Sequence, residues 1–186
     1  MTTMTEEVPR IWVGCLHCYN SGDLVGEWFP ATDADDVAAI DLAAVHKGSG
    51  RRYAACEELW VMDHELIPTS GEFGLLEAAQ WAACYEEAGA EQWPAVFAWV
   101  RSGMHVVEGH GDIPSLSSFE ERYVGRWESF RAYAEQLADD LDMMNGWPEE
   151  AQRYFHWSSW VDDLQHDYTV VDAPRPDYGV YVFRNM

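Results

Sequence analysis

A chain of 186 residues with 48% apolar and 14% aromatic side chains can bury a sizeable core and is not a disordered chain. Its 33 acidic residues against 11 basic ones give a formal net charge of −22, which argues against direct nucleic-acid binding and against anionic membrane surfaces, since phosphate is repelled rather than neutralised. No apolar run approaches a membrane span, the first residues lack the basic and apolar regions of a signal peptide, and four cysteines are too few for a disulfide scaffold, so the expectation is a cytoplasmic protein with reduced thiols.

Residues 10–18 read as a strand, Tyr19–Asp23 as a turn, and Leu24–Phe29 as the returning strand of a hairpin. Thr32 or Asp33 can cap a helix over 34–46, with Val37, Ile40, Ala44 and Val45 on its apolar side. Residues 58–66 read as a third strand. Pro68-Thr-Ser-Gly71 reads as a linker. A helix over 75–88 is stopped by Gly89, and Pro94 suits the first turn of another through Arg101. Ser117 or Ser118 should cap a short helix, followed by a longer one over 127–142. Gly146-Trp-Pro148 breaks the chain before a helix over 148–164 that bends near Ser158-Ser159. Strands over 168–171 and 179–183 close it. The pattern predicts an α+β fold, an elongated chain of three small domains: 1–67 with an antiparallel sheet and a helix, 68–116 mainly helical, and 117–186 with helices and a short antiparallel sheet.

The acidity is not confined to a tail. The three blocks carry 12 acidic and 4 basic residues (net −8), 7 and 1 (net −6), and 14 and 6 (net −8). Acids also crowd one another. Glu135, Asp139 and Asp142 share a helical face, where each i, i+4 like-charge pair costs on the order of 0.2–0.5 kcal/mol. Solubility or salt adaptation would explain such a surface; the sharper reading is that the acidic surface is itself the functional one.

Conventional chemistry finds little support. Cys15-Leu-His17-Cys18 is one CxxC, whereas a structural zinc site needs four ligands, and Cys56 and Cys84 fall at no metal-finger spacing. These read as ordinary half-buried cysteines. Asp63-His64-Glu65 and Asp163-x-x-His166 are fragments that 33 carboxylates and seven histidines produce by chance. There is no nucleophile elbow, P-loop or dinucleotide fingerprint. A carboxylate pair for glycoside hydrolysis fits any acidic, tryptophan-rich chain. Two aromatic runs stand out: Trp127, Phe130 and Tyr133, and then Tyr154, Phe155, Trp157 and Trp160. The second is generous for a core of its block and suits a subunit interface.

The run Tyr19-Asn20-Ser-Gly22-Asp-Leu24-Val-Gly26-Glu-Trp28 resembles the N-terminal signature of the ArdA antirestriction proteins. Glu57-Glu58 with Trp60-Val-Met-Asp63, Phe119–Gly125 with Tyr133-Ala134, and Gly179–Phe183 are similar to further stretches of that family. Gly146-Trp-Pro148…Gln152-x-Tyr154-Phe155-x-Trp157-x-x-Trp160-x-x-Asp163-Leu164 resembles its antirestriction motif, with His156 where an aspartate is usual and tryptophan for tyrosine at 157 and 160. The resemblance implies a non-enzymatic DNA mimic, and separately no cofactor or metal is expected. Its partner would be the methyltransferase and specificity subunits of type I restriction-modification enzymes. It also implies a curved homodimer joined through the C-terminal domain, here through Tyr154, Phe155, Trp157 and Trp160. A dimer would carry 2 × 22 = 44 negative charges, which matches about 75 Å, or roughly 22 base pairs, of duplex. The acids expected to meet the partner are Asp33, Asp35, Asp36, Glu57, Glu58, Glu86, Glu87, Glu91, Glu135, Asp139, Asp142, Asp162 and Asp163, with none decisive alone. An acidic module for another basic DNA-binding protein is the nearest alternative, and a carboxylate hydrolase a more distant one.

Overall fold

The computed structural model describes residues 8–50, 54–109, 111–174 and 178–185. It begins with strand β1 (Arg10–Cys15), whose Ile11, Val13 and Cys15 point into the core while Trp12 lies on the other face. The strand expected to run to Cys18 stops at Cys15. Cys15 is instead the N-cap of a one-turn helix, α1 (Leu16–Asn20), closed by Ser21 and Gly22 donating back to carbonyls of the turn. Strand β2 (Gly26–Pro30) returns antiparallel to β1, with Trp28 opposite Trp12 and Gly26 opposite Gly14.

The single helix expected over 34–46 is two: α2 (Ala34–Ala38) and α3 (Leu42–His46). The apolar spacing looks continuous, but Asp41 takes an extended conformation and its carboxylate accepts the N–H of Ala44, which restarts the helix. Asp33 caps α2 in the same way through Asp36. Strand β3 (Leu59–Glu65) then pairs with β1, and the short β4 (Phe73–Gly74) adds to its other side, giving the order β2-β1-β3-β4. The first sheet therefore takes its fourth strand from beyond the expected linker.

The helical segment α4 (Leu75–Arg101) is broken at Gly89, whose φ of 76° and ψ of 157° leave the helix. The break falls where the sequence placed it, but helix resumes at once rather than at Pro94. Ser115, not Ser117 or Ser118, caps α5 (Leu116–Arg122). Strand β5 (Tyr123–Trp127) stands where a helix was expected to begin. Helix α6 (Phe130–Asp140), capped by Ser129, is correspondingly shorter. Helices α7 (Glu149–Arg153) and α8 (Trp157–Gln165) are separated at Tyr154–His156, earlier than the predicted bend. Strands β6 (Tyr168–Asp172) and β7 (Val180–Arg184) complete a second antiparallel sheet of order β5-β7-β6. The fold is α+β.

β7 is the hinge of the packing. Alternation along a strand sends Tyr181 and Phe183 to one face and Val182 to the other. The first face joins a buried cluster that runs from Ile11 and Val13 through Trp81, Val96 and Trp99 to Phe119. Val182 joins a second cluster with Phe130, Tyr133, Ala134 and Val161. Trp99 stacks on Phe183 at 6.1 Å between centroids, and Phe119 stacks on Tyr123 at 4.9 Å. No helix among the described residues is long and apolar enough to cross a membrane.

Candidate functional site

The predicted acids are carried out to solvent by every part of the fold. Asp35 and Asp36 are exposed on α2, which packs against α4; Glu86, Glu87 and Glu91 are exposed on α4 itself. Glu57 and Glu58 are exposed just before β3. Asp139 on α6 and Asp162 and Asp163 on α8 are exposed on two helices that pack together. Three of the thirteen have structural duties. Asp33 is half-buried and caps α2. Glu135 accepts from Arg131 at 2.7 Å. Asp142 sits at φ 50° just past α6, where Met143 donates to Ala138, a left-handed helix stop that aspartate tolerates.

Several of the described arginines, Arg131 on Glu135 among them, meet local acceptors. Arg10 lies 4.0 Å from Glu65 and over the Trp28 ring at 5.3 Å. Arg153 pairs with Glu149 at 3.4 Å, and Arg126 donates twice to the Tyr178 carbonyl. Exposed pairs of this kind add little stability, from nothing to about 1 kcal/mol. Among the described residues, no ion pair engages the carboxylates of α2, α4 and α8. A depression of about 380 Å³ is lined by Gln80, Cys84, Glu87, Glu108 and Ile113 and so holds two carboxylates.

Two apolar features interrupt this surface. The first is the turn Tyr19–Trp28. Gly22 takes φ 87°, its N–H donating to Tyr19 at 3.0 Å, and the turn leaves Tyr19 and Leu24 exposed. They rim a depression of about 370 Å³ with Trp12, Trp28, Asp63 and Glu72. The second is the segment between α6 and α8. Phe155 meets Trp147, Trp157 and Trp160 at 5.7, 5.1 and 6.2 Å between centroids. Tyr154 beside them is 72% exposed and Trp147 is 38% exposed. The aromatic residues predicted for an interface are thus gathered at one place and only partly covered.

The profile of the ArdA antirestriction proteins matches residues 11–175, which spans both features and the acids between them. The chain belongs to the ArdA antirestriction protein family. No curated protein matches the chain. Family membership gives this ArdA chain an antirestriction function. It also gives the signature a physical reading: Gly22 makes the turn, and Gly26 leaves the space that the Trp12 indole fills.

One grouping in this ArdA chain was not legible in the sequence. Cys56 was set apart from the Cys15–Cys18 pair, and the fold brings it back. The Sγ atoms of Cys15, Cys18 and Cys56 and a ring nitrogen of His46 lie within 4.8 Å of one another, all four residues buried. Cys18 Sγ is 3.8 Å from Cys56 Sγ, and His46 Nε2 is 3.5 Å from Cys18 and 3.7 Å from Cys56. His17, inside the CxxC, is exposed. Burial opposes ionisation of Cys15, but the N–H groups of Cys18 and His17 and the two neighbouring thiols hold it below its ordinary value. Burial, then the thiols of Cys15 and Cys18, push Cys56 up to about 12. Cys84, on the buried face of α4, is pushed up to about 12 by burial and then by Glu87. It stands apart from the cluster. The Asp63-His64-Glu65 fragment gathers no such set: His64 packs on Phe73 at 5.5 Å.

Proposed function

We propose that the protein is a DNA mimic that occupies the DNA-binding groove of type I restriction-modification enzymes, on the methyltransferase–specificity core, and performs no chemistry of its own. The observation that carries this reading is the distribution of exposed carboxylates over α2, α4, α6 and α8, against which the ion pairs of Arg10, Arg131 and Arg153 engage only Glu65, Glu135 and Glu149. Lysines and arginines that neutralise phosphate would meet these carboxylates instead, with no base readout needed. The interacting acids on this reading are Asp35, Asp36, Glu57, Glu58, Glu86, Glu87, Glu91, Asp139, Asp162 and Asp163. Asp33, Glu135 and Asp142 add charge while holding their helices.

The acting form is a homodimer in the cytoplasm, joined through Tyr154, Phe155, Trp157 and Trp160. The three blocks 1–67, 68–116 and 117–186 are strung along an elongated body. Exposed aromatic side chains at one locus support the contact, because tyrosine and tryptophan bury large area at low entropic cost. Sedimentation of Tyr154→Ala should show a folded chain with weakened self-association.

The test is competition. Labelled duplex is bound to a purified type I methyltransferase core, and this protein is titrated in at two salt concentrations. Displacement at about one dimer per site, weakening as salt rises, is expected. No displacement at low salt by an intact dimer would sink the proposed partner and favour a different basic DNA-binding protein.

A further inference from the structure

We propose that Cys15, Cys18, His46 and Cys56 form a closed structural site for one zinc ion, and that the metal staples the N-terminal sheet to the loop bearing Glu57 and Glu58. In tetrahedral zinc, Zn–S bonds of about 2.3 Å and Zn–N bonds of about 2.0–2.1 Å separate two sulfurs by about 3.8 Å and sulfur from nitrogen by about 3.6 Å. The observed separations are 3.8 Å for Cys18–Cys56 and 3.5 and 3.7 Å for His46 to those two sulfurs. A disulfide needs sulfurs about 2.05 Å apart, so the spacing is that of co-ligands and not of a bond.

The surroundings are those of a ligand set. His46 Nδ1 lies 3.1 Å from the Leu42 carbonyl, an arrangement in which Nδ1–H donates and Nε2 is left to face the sulfurs. The one-turn helix after Cys15 brings Cys18 back beside it, so one short segment supplies two of the three sulfurs. All four side chains are buried, which leaves no open position for substrate and makes the site structural rather than catalytic. Three thiolates and an imidazole select zinc over the hard cations that carboxylates hold.

Three separate segments converge on the site. The first is the end of β1 with α1, the second is the last turn of α3, and the third is the loop before β3. Cys56 lies directly before Glu57-Glu58, so zinc would fix where that exposed acidic pair stands.

The full-length chain, expressed with zinc and freed of loose metal by gel filtration, should carry about one zinc per chain by elemental analysis. Cys56→Ser and Cys18→Ser should lose it, while Cys84→Ser, a buried cysteine outside the cluster, should keep it. To separate loss of metal from loss of fold in the serine variants, the wild-type chain is also reconstituted with cobalt. Tetrahedral sulfur-rich coordination then gives ligand-field bands in the visible and a thiolate charge-transfer band in the near ultraviolet. Zinc well below one equivalent with no cobalt–thiolate bands would overturn the proposal. So would equal zinc in wild type, Cys56→Ser and Cys84→Ser, or recovery of a Cys18–Cys56 disulfide.

Discussion

At the residue scale the clearest constraint is the space around Trp12. Its indole lies across Gly14 and Gly26, which face each other on adjacent strands. A Cβ at Gly26 would overlap that ring, and one at Gly14 would meet both Trp12 and the Met62 sulfur. The signature's two glycines therefore have different physical roles. Gly22 supplies a positive φ with open space around it, whereas Gly26 supplies room. Gly26→Ala should destabilise by about 1–3 kcal/mol through overpacking. Gly22→Ala should cost about 1–2 kcal/mol through the left-handed backbone. Urea unfolding of the two variants checks this, and a Gly26→Ala midpoint equal to wild type would mean that Trp12 can leave the sheet freely.

At the scale of elements, α6 is tied to the second sheet by a tyrosine pair. Tyr133 donates to the Tyr168 hydroxyl at 2.8 Å, with the rings 5.2 Å apart. Burial, then the Tyr168 contact, pushes the Tyr133 phenol up to about 12 from an ordinary 10. A phenol raised in the folded state favours folding while the unfolded chain would also be protonated, so its contribution is complete below about pH 10 and lost as pH climbs toward 12. Tyr133→Phe should lower stability at neutral pH by about 0.5–1.5 kcal/mol. It should also show a smaller fall in melting temperature between about pH 8 and pH 11 than wild type. An unchanged alkaline fall would place the titrating group elsewhere. The same elements show what the sequence could and could not convey. The Asp33 cap and the Gly89 break are local signals and were legible as helix boundaries, whereas the serine caps were not, since Ser115 replaces Ser117 or Ser118 and Ser129 was not singled out. Strand β5 was not, because Trp127, Phe130 and Tyr133 recur at helical spacing and only pairing with β7 makes Tyr123–Trp127 extended. The helix over 34–46 misled because apolar periodicity outweighed the single capping residue Asp41. The cysteine cluster was illegible for a different reason. Two of its ligands lie within one turn, but His46 stands 28 residues beyond Cys18 and Cys56 a further 10 on, so tertiary packing alone brings them together.

At the scale of the whole molecule, a net charge of −22 acts on folding and on binding with opposite signs. Self-repulsion works against the compact chain, and salt relieves it by screening charges beyond about 10 Å at 0.1 M. The same screening weakens attraction to a basic groove. Added salt should therefore raise the melting temperature while it lowers inhibition, which separates loss of binding from loss of fold. Spread over α2, α4, α6 and α8, the charge should also make inhibition graded. Any one of Asp36, Glu58, Glu87 or Asp163 changed to its amide should alter affinity only slightly. Changing Glu57, Glu58, Glu86, Glu87 and Glu91 together should weaken displacement of duplex strongly and flatten its salt dependence, because fewer ionic contacts form. The competition assay at two salt concentrations measures both quantities. A single amide variant that stays folded and dimeric yet fails to displace DNA would replace a distributed surface with a local recognition site at that residue.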